Sequence, residues 1–298
     1  MYPSAFHYHR ASSLAEAVSI LAELGDDAKV IAGGQSLIPL LKLRLATPEH
    51  LIDLGFITEL SFVETEQERV SIGALAKHAQ IESSSVAKSV PIVGDCSSGI
   101  ADHQVRNRGT IGGSLAEADP AGDWAPVMLV LDSEITCVSP KGERTLSLTD
   151  FIVDAYATDL EEDELVSRVS FAAPSSRSGG AFFAFKRSSQ VYASASAAVQ
   201  MTLEKDGSCR DARIAMGCVG LTTIQALEAA NELRGQVLNE TVLARAGEAA
   251  ASEADPQGDM RGSEAYKRFL VGSLVKQAIK AAARRCQGEK VKVSHFYA

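Results

Sequence analysis

Apolar side chains recur at helical spacing at Leu14, Val18, Leu21 and Leu24, directly behind Ser13-Leu14-Ala15-Glu16, whose Ser and Glu have the spacing of a capping box. The pattern predicts a helix over 12–24, ended by Gly25-Asp26-Asp27. A short β-type run at 29–31 follows, then a Gly-rich loop, a helix-like stretch at 36–45 (SLIPLLKLRL) and another strand at 51–54. Helix, strand, loop, helix and strand in that order predict a small α/β unit over residues 1–55.

Further along, residues 60–64 and 69–73 flank the polar Thr65-Glu66-Gln67-Glu68 as the arms of a hairpin. Helical patterns at 77–84 and 90–101 lead into the Gly-rich stretch 106–124. An apolar helix is expected at 124–131, with Asp119-Pro120 and Asp123 as start signals. A second hairpin is read at 134–138 and 144–148, joined by Ser139-Pro140-Lys141-Gly142-Glu143, and a further strand at 165–171. Residues 172–180, AAPSSRSGG, turn abruptly to small polar residues, Pro and Gly, which places a domain boundary near residue 176. Strand-like runs at 181–186, 193–203 and 209–219 precede helical patterns at 225–233, 241–251 and 263–285. Strands followed by helices predict an α+β domain over 177–286, a three-stranded sheet backed by helices. Residues 287–298 read as a tail that only a neighbouring molecule would order.

Composition narrows the function classes. The 298 residues are 46% hydrophobic and 22% charged, an ordinary globular balance with room for two domains. A net charge of -9 argues against nucleic acid or an anionic membrane as the main partner. No apolar run approaches the ~18 residues of a membrane span, and the N-terminus has no signal-peptide core, so the expected compartment is the cytoplasm. Five cysteines without CxxC spacing indicate neither a disulfide framework nor a zinc or iron–sulfur site.

The candidate chemistry lies in two Gly pairs. One is Gly33-Gly34 in Ile31-Ala32-Gly33-Gly34-Gln35-Ser36; the other is Gly112-Gly113 in RNRGTIGGSLAEADPAGDW, residues 106–124. Glycine lets main-chain N–H groups approach a ligand without a Cβ in the way, and several such groups form an anion nest. A lone Gly pair is most often a turn. Two pairs, each flanked by hydroxyl residues and abutting an apolar segment, leave a pair of turns and a jointly held pyrophosphate as equal readings. GxGxxG after a strand, GxxxxGK[ST], HExxH and GxSxG are all missing. The six histidines, His7, His9, His50, His78, His103 and His295, have no metal-ligand spacing and read as surface or hydrogen-bonded residues. With no set of acid, base and nucleophile, the chemistry is expected to belong to a bound cofactor.

Three segments, AGGQSLIPLLKLRLATPEHLIDL at 32–54, IADHQVRNRGTIGGSLAEADPAGDW at 100–124 and GSEAYKRFLVGSLV at 262–275, span nearly the whole chain. Together they resemble the FAD-binding medium subunit of molybdenum hydroxylases, the group that contains aerobic carbon monoxide dehydrogenase and xanthine dehydrogenase. The resemblance implies an α+β protein. A two-part FAD-binding domain of the vanillyl-alcohol oxidase type, residues 1–176 with subdomains 1–55 and 56–176, is followed by a smaller C-terminal domain. It implies that Ala32, Gly33, Gly34, Gln35 and Ser36, with Thr110, Ile111, Gly112, Gly113 and Ser114, hold the FAD pyrophosphate. Asp123 would mark the adenosine end, Ile100 an apolar contact, Leu165 and Val166 an apolar pair at the flavin, Lys186 a group reaching the flavin ring, and Tyr192 an aromatic near it.

FAD is expected to be non-covalent, since no His or Cys sits in either loop. The carbon monoxide dehydrogenase branch typically has His where this chain has Gln35, which disfavours carbon monoxide as the substrate. The resemblance also implies partners: a small subunit with two [2Fe–2S] clusters and a large molybdenum subunit, assembled as a dimer of heterotrimers. Neither the clusters nor the molybdenum cofactor would sit in this chain. Arg106, Arg108 and the tail are candidates for ordering by a partner. Two rival readings are a stand-alone FAD-dependent oxidase of the same fold group and a non-catalytic nucleotide-binding module.

Overall fold

Strand β1 (His7–Arg10), helix α1 (Leu14–Leu24), strand β2 (Ala28–Ile31), helix α2 (Leu37–Leu43) and strand β3 (His50–Asp53) build the first unit. A computed structural model describes residues 2–297. The three strands are parallel in the order β1-β3-β2, which the helical crossovers make possible. Ser13 caps α1 by accepting from the Glu16 N–H at 3.2 Å. The returning Glu16 carboxylate accepts from the Ser12 N–H at 2.8 Å, one residue earlier than the capping box predicts. Ala17, Val18 and Leu21 of α1 bury against Ile52, Leu54 and Ile57. The first Gly loop therefore emerges at the carboxyl end of a parallel strand, where open α/β sheets place ligands.

The second unit starts with the hairpin of β4 (Val63–Glu66) and β5 (Arg69–Gly73). Six short helices follow: α3 (His78–Ser83), α4 (Ser85–Ser89), α5 (Pro91–Gly99), α6 (His103–Arg106), α7 (Ile111–Glu117) and α8 (Trp124–Val130). Then come β6 (Glu134–Ser139), β7 (Gly142–Ser147), α9 (Leu148–Phe151), the two-stranded ribbon of β8 (Ile152–Asp154) and β9 (Ala157–Thr158), and β10 (Leu165–Ala172). The five long strands form an antiparallel sheet in the order β4-β5-β10-β6-β7. Pro91 opens α5, as its fixed φ and missing N–H suit a first turn. The 106–124 stretch, expected as a loop, contains a helix. Thr110 caps α7, and Gly112 is there for packing, since a Cβ on it would lie 2.8 Å from Ala74 Cα.

The third unit comprises β11 (Ser178–Lys186), β12 (Ala195–Leu203), β13 (Cys209–Gly217), β14 (Ile224–Gln225), α10 (Leu227–Asn231), α11 (Glu240–Glu253), α12 (Glu264–Cys286) and β15 (Phe296–Tyr297). Its sheet has five strands, β14-β13-β12-β11-β15, not the three expected. The two additions are edge strands of two residues each, too short to leave a periodic pattern. Both faces of the sheet are covered. Ala181 and Phe183 face the helix α12 layer, while Phe182 and Ala184 join the core that includes Ile92 of α5 and Val127 of α8.

Asp95 of α5 binds the Arg285 guanidinium of α12 through both carboxylate oxygens, at 2.6 and 2.9 Å. Arg285 also donates to the carbonyls of Gly180 and Val291, at 2.6 and 2.7 Å. His295 lies against Gly99 and hydrogen-bonds the Asp95 carbonyl at 2.8 Å. The segment read as a tail waiting for a neighbour is thus docked on its own chain. The same correction applies to Arg106. Its buried guanidinium pairs with Glu82 at 3.0 Å and donates to the carbonyls of Ile100 and Ala101 at 2.9 and 3.0 Å.

Candidate functional site

The first loop turns through Gly34, whose φ of +74° suits glycine, and the Ile38 N–H then donates to Gly34 O at 3.1 Å to start α2. Gly33 is pressed on the second loop, so that a Cβ on it would run into the Arg108 carbonyl and lie 2.8 Å from Gly109 Cα. The N–H groups of Gly33, Gly34, Gln35 and Ser36 reach no acceptor among the described residues. Four successive N–H groups left open on a turn are an anion nest.

The second loop works differently from the expected main-chain cradle. Four of its five N–H groups are already occupied: Ile111 and Gly112 donate to Ala76 O (3.2 Å) and Ala74 O (2.9 Å), Gly113 to Thr110 Oγ1 (3.2 Å) and Ser114 to Thr110 O (3.0 Å). What it offers a ligand is the hydroxyl protons of Thr110 and Ser114 and the one N–H, that of Thr110, with no acceptor among the described residues. The two loops converge on a cleft of about 320 Å³, which Ala32, Gly33, Gly34, Gln35, Ser36, Ile100, Thr110, Gly113, Ser114, Asp123, Lys186 and Tyr192 help line.

Behind the loops, Asp123 at the start of α8 meets Lys186 at the end of β11. The Lys186 ammonium donates to Asp123 Oδ2 at 2.7 Å and to Gly99 O at 2.9 Å, and both side chains are buried. Burial works against the charged ammonium, but the charge and hydrogen bond of Asp123 outweigh it, so Lys186 is held above its ordinary pKa. A direct pair of this kind corrects the expectation that Asp123 and Lys186 mark opposite ends of an FAD; they act at one point. The other oxygen, Asp123 Oδ1, is buried without a partner among the described residues. A buried acceptor left unmade costs about 1–3 kcal/mol, and a hydroxyl or N–H donor on a bound ligand would satisfy it.

At the mouth, half-exposed Tyr192 lies near Asp119, and partial burial together with that carboxylate's charge raises its phenol pKa. Gln190 Nε2 donates to Asp102 Oδ2 at 3.1 Å across the opening. His78 lines the cleft from below. Its ring is buried, Trp124 Nε1–H donates to its Nδ1 at 3.1 Å, and burial, reinforced by the nearby Arg106 charge, lowers its pKa to about 4. The unfolded ring takes up a proton below about pH 6.5, whereas the folded ring stays neutral, so acid favours unfolding. Stability is therefore expected to fall by about 3 kcal/mol from pH 6.5 to pH 4 on account of His78. A His78→Gln chain, unfolded in urea at stepped pH, should show a shallower acid limb; an unchanged limb would refute this assignment.

Four residues expected at the site lie elsewhere. Ile111 is fully buried in the core, Gly112 packs on Ala74, and neither reaches the cleft. Leu165 and Val166 point to opposite faces of β10, into separate hydrophobic clusters, and neither lines the cleft. Conversely, His78, Gly109, Glu117, Asp119 and Gly122 line it without having been singled out as binding residues. All but His78 fall within the Gly-rich stretch. His78 carries no local signal, because its partner Trp124 is 46 residues away.

The residues present fit a dinucleotide: open N–H groups and hydroxyls for phosphates, a buried acceptor without a donor, and apolar walls from Val30, Ile31, Ile100 and Val191. Comparison with known proteins agrees. Residues 4–174 match the model of the FAD binding domain in molybdopterin dehydrogenase, and residues 180–282 match the CO dehydrogenase flavoprotein C-terminal domain. The chain is 38% identical to the carbon monoxide dehydrogenase medium chain of Afipia carboxidovorans, over 96% of this chain and 100% of that one. It is 36% identical to the 6-hydroxypseudooxynicotine dehydrogenase complex subunit alpha of Paenarthrobacter nicotinovorans, over 99% and 100% of the two chains. A solved carbon monoxide dehydrogenase from Hydrogenophaga pseudoflava contains a chain 37% identical to this one, with a TM-score of 0.92, covering 96% of this chain and 100% of that one. The chain belongs to the FAD-binding medium subunits of the molybdenum hydroxylases, oxidoreductase subunits that work within multi-subunit enzymes.

Proposed function

We propose that this chain takes electrons from the [2Fe–2S] clusters of a small partner subunit into FAD and passes them to an external acceptor. A large partner subunit holds the molybdenum cofactor and hydroxylates the substrate, and the assembly is a cytoplasmic dimer of heterotrimers. On this reading, the first two units form an FAD domain of the vanillyl-alcohol oxidase type. The observation that carries the reading is the convergence of two loops on one cleft, the first with four unpaired N–H groups, beside the orphaned Asp123 Oδ1. Bound FAD supplies one- and two-electron redox chemistry.

The chain's own residues bind and orient it. Gly33 to Ser36 donate to the pyrophosphate, the Thr110 and Ser114 hydroxyls close the other side, Asp123 Oδ1 accepts from the ligand, and Tyr192 shields the mouth from water. Among the described residues no helix is long and apolar enough to cross a membrane.

Expressed alone, the chain is expected to bind FAD and release it into the supernatant on acid precipitation, and to oxidise no purine, aldehyde or carbon monoxide. Expressed with its neighbouring subunits, it should co-elute with molybdenum, iron and flavin. Colour kept in the denatured pellet would overturn the non-covalent assignment. Turnover of a reduced substrate with dioxygen by the isolated chain, at about 1 per second or more, would replace the subunit reading with that of a self-contained oxidase.

A further inference from the structure

We propose that His78 is a cofactor-binding residue whose Nε2–H donates to a pyrophosphate oxygen of the dinucleotide at the point where the two Gly loops meet. The proposal rests on the FAD reading above and adds a residue to it.

The ring's place is set by its own backbone. The His78 N–H donates to Gly109 O at 3.1 Å, and the neighbouring Lys77 bridges Thr110, so the start of α3 is stitched to the second loop. The ring lies on the bare face of Gly109: a Cβ there would be 2.7 Å from Nε2. Gly109 in turn touches Gly33 of the first loop, so Nε2 stands at the junction of the two segments. His78 shares the cleft wall with Gly33, Thr110 and Gly113.

The tautomer follows from the partner. Trp124 Nε1 can only donate, so Nδ1 must accept, and the ring proton of a neutral imidazole must then sit on Nε2. No acceptor among the described residues takes that proton, and the residue as a whole is only 5% exposed. The Nε2–H is not one of the sealed-off polar atoms of the interior; without a protein acceptor, on a residue that lines the cleft, it is open to an acceptor on the ligand. The cation lining the cleft, Lys186, is already committed to Asp123. The pyrophosphate charge is therefore met by neutral donors: the N–H groups of the first loop, two hydroxyls and the imidazole N–H. Without a bound anion, burial keeps the imidazole neutral across the physiological range, so it meets the ligand as a neutral donor.

Two isosteric halves of histidine separate binding from support. In His78→Asn the amide oxygen takes the place of Nδ1 and keeps the Trp124 hydrogen bond, but nothing reaches the cleft. In His78→Gln the amide N–H reaches the place of Nε2, while the Trp124 acceptor is lost. Full-length chains stripped of flavin would be titrated with FAD by fluorescence quenching and with ADP by competition, with far-UV circular dichroism confirming the fold. The expected result is that His78→Asn binds both FAD and ADP about 10- to 100-fold more weakly, while His78→Gln stays within about 3-fold of wild type. Wild-type affinity in His78→Asn overturns the proposal. So does equal weakening of both variants, which would make the ring a support for Trp124, or a loss confined to FAD, which would aim Nε2 at the flavin. Failure of the wild-type chain to bind FAD at all would instead sink the FAD reading.

Discussion

Lys186→Met is expected to empty the cleft and to cost the folded chain about 3–5 kcal/mol, the usual penalty for removing one partner of a buried ion pair. The side chain keeps its length and apolar stem. Among the described residues it removes the one donor to Asp123 Oδ2, whose companion Oδ1 is already unpaired, and it also strips Gly99 O of the Lys186 hydrogen bond. A carboxylate would then sit buried with neither oxygen satisfied. Trp124, the only tryptophan, is fully buried one residue from Asp123, so its fluorescence during urea unfolding reads the loss where it occurs.

The sign of the pH dependence is also set. Lys186 is held above its ordinary value, so its contribution is fully present below the unfolded lysine pKa near 10.4 and disappears only at still higher pH. The deficit of the variant should therefore be constant from pH 6 to pH 9. The double variant Lys186→Met with Asp123→Leu separates structure from binding. Replacing the whole pair by apolar groups of similar volume should restore most of the stability. FAD affinity should not return, because the acceptor at Oδ1 is gone. Recovery of both in the double variant would show that the pair only supports the fold.

Gly33→Val is expected to abolish FAD binding and to destabilise the first unit, while the third unit remains folded. Backbone, not a flexible side chain, stands where the new Cβ would go: the Arg108 carbonyl and Gly109 Cα. Relief requires the loops to separate, which opens the junction that the phosphates occupy. Overpacking of this kind costs about 1–3 kcal/mol, and the measured FAD dissociation constant should rise more than about 100-fold. Gly113→Val is the instructive contrast. A Cβ on Gly113 would lie 2.9 Å from Thr110 Oγ1 and 3.9 Å from Ala32 Cβ, and the residue has no positive φ. A hydroxyl can give way, so stability should drop much less, while the two methyls block the ligand. Flavin fluorescence and urea unfolding on both variants should show binding lost in each and stability lost mainly in Gly33→Val. Full flavin occupancy in either would remove that glycine from the site.

Much of this molecule was legible as sequence because its signals are short-range. The capping serine and the 3.6-residue spacing placed α1, the helical pattern at 90–101 found α5, and the Gly pair at 33–34 marks a loop beside an apolar strand. Each of these depends on residues within a few positions of one another. Resemblance over three long segments then pointed to FAD, for which composition and periodicity alone had offered only a choice between turns and a phosphate cradle.

What only the tertiary structure decided is which distant side chains meet. Lys186 and Asp123 are 63 residues apart, Trp124 and His78 are 46 apart, and Arg285 and Asp95 are 190 apart. No spacing rule connects them: the first and third contacts are set by how the sheet β14-β13-β12-β11-β15 packs across α5 and α8, and the second by packing among the short helices of the second unit. Tertiary contacts of other segments settle the role of two glycines: Gly112 and Gly33 exist for close approach of backbone, not for the ligand alone. Tertiary contacts also reassign the second loop, whose N–H groups at 111–114 are spent on neighbours contributed by residues 74 and 76 and on its own cap. A glycine pair states that space is needed; only the folded chain states what fills it.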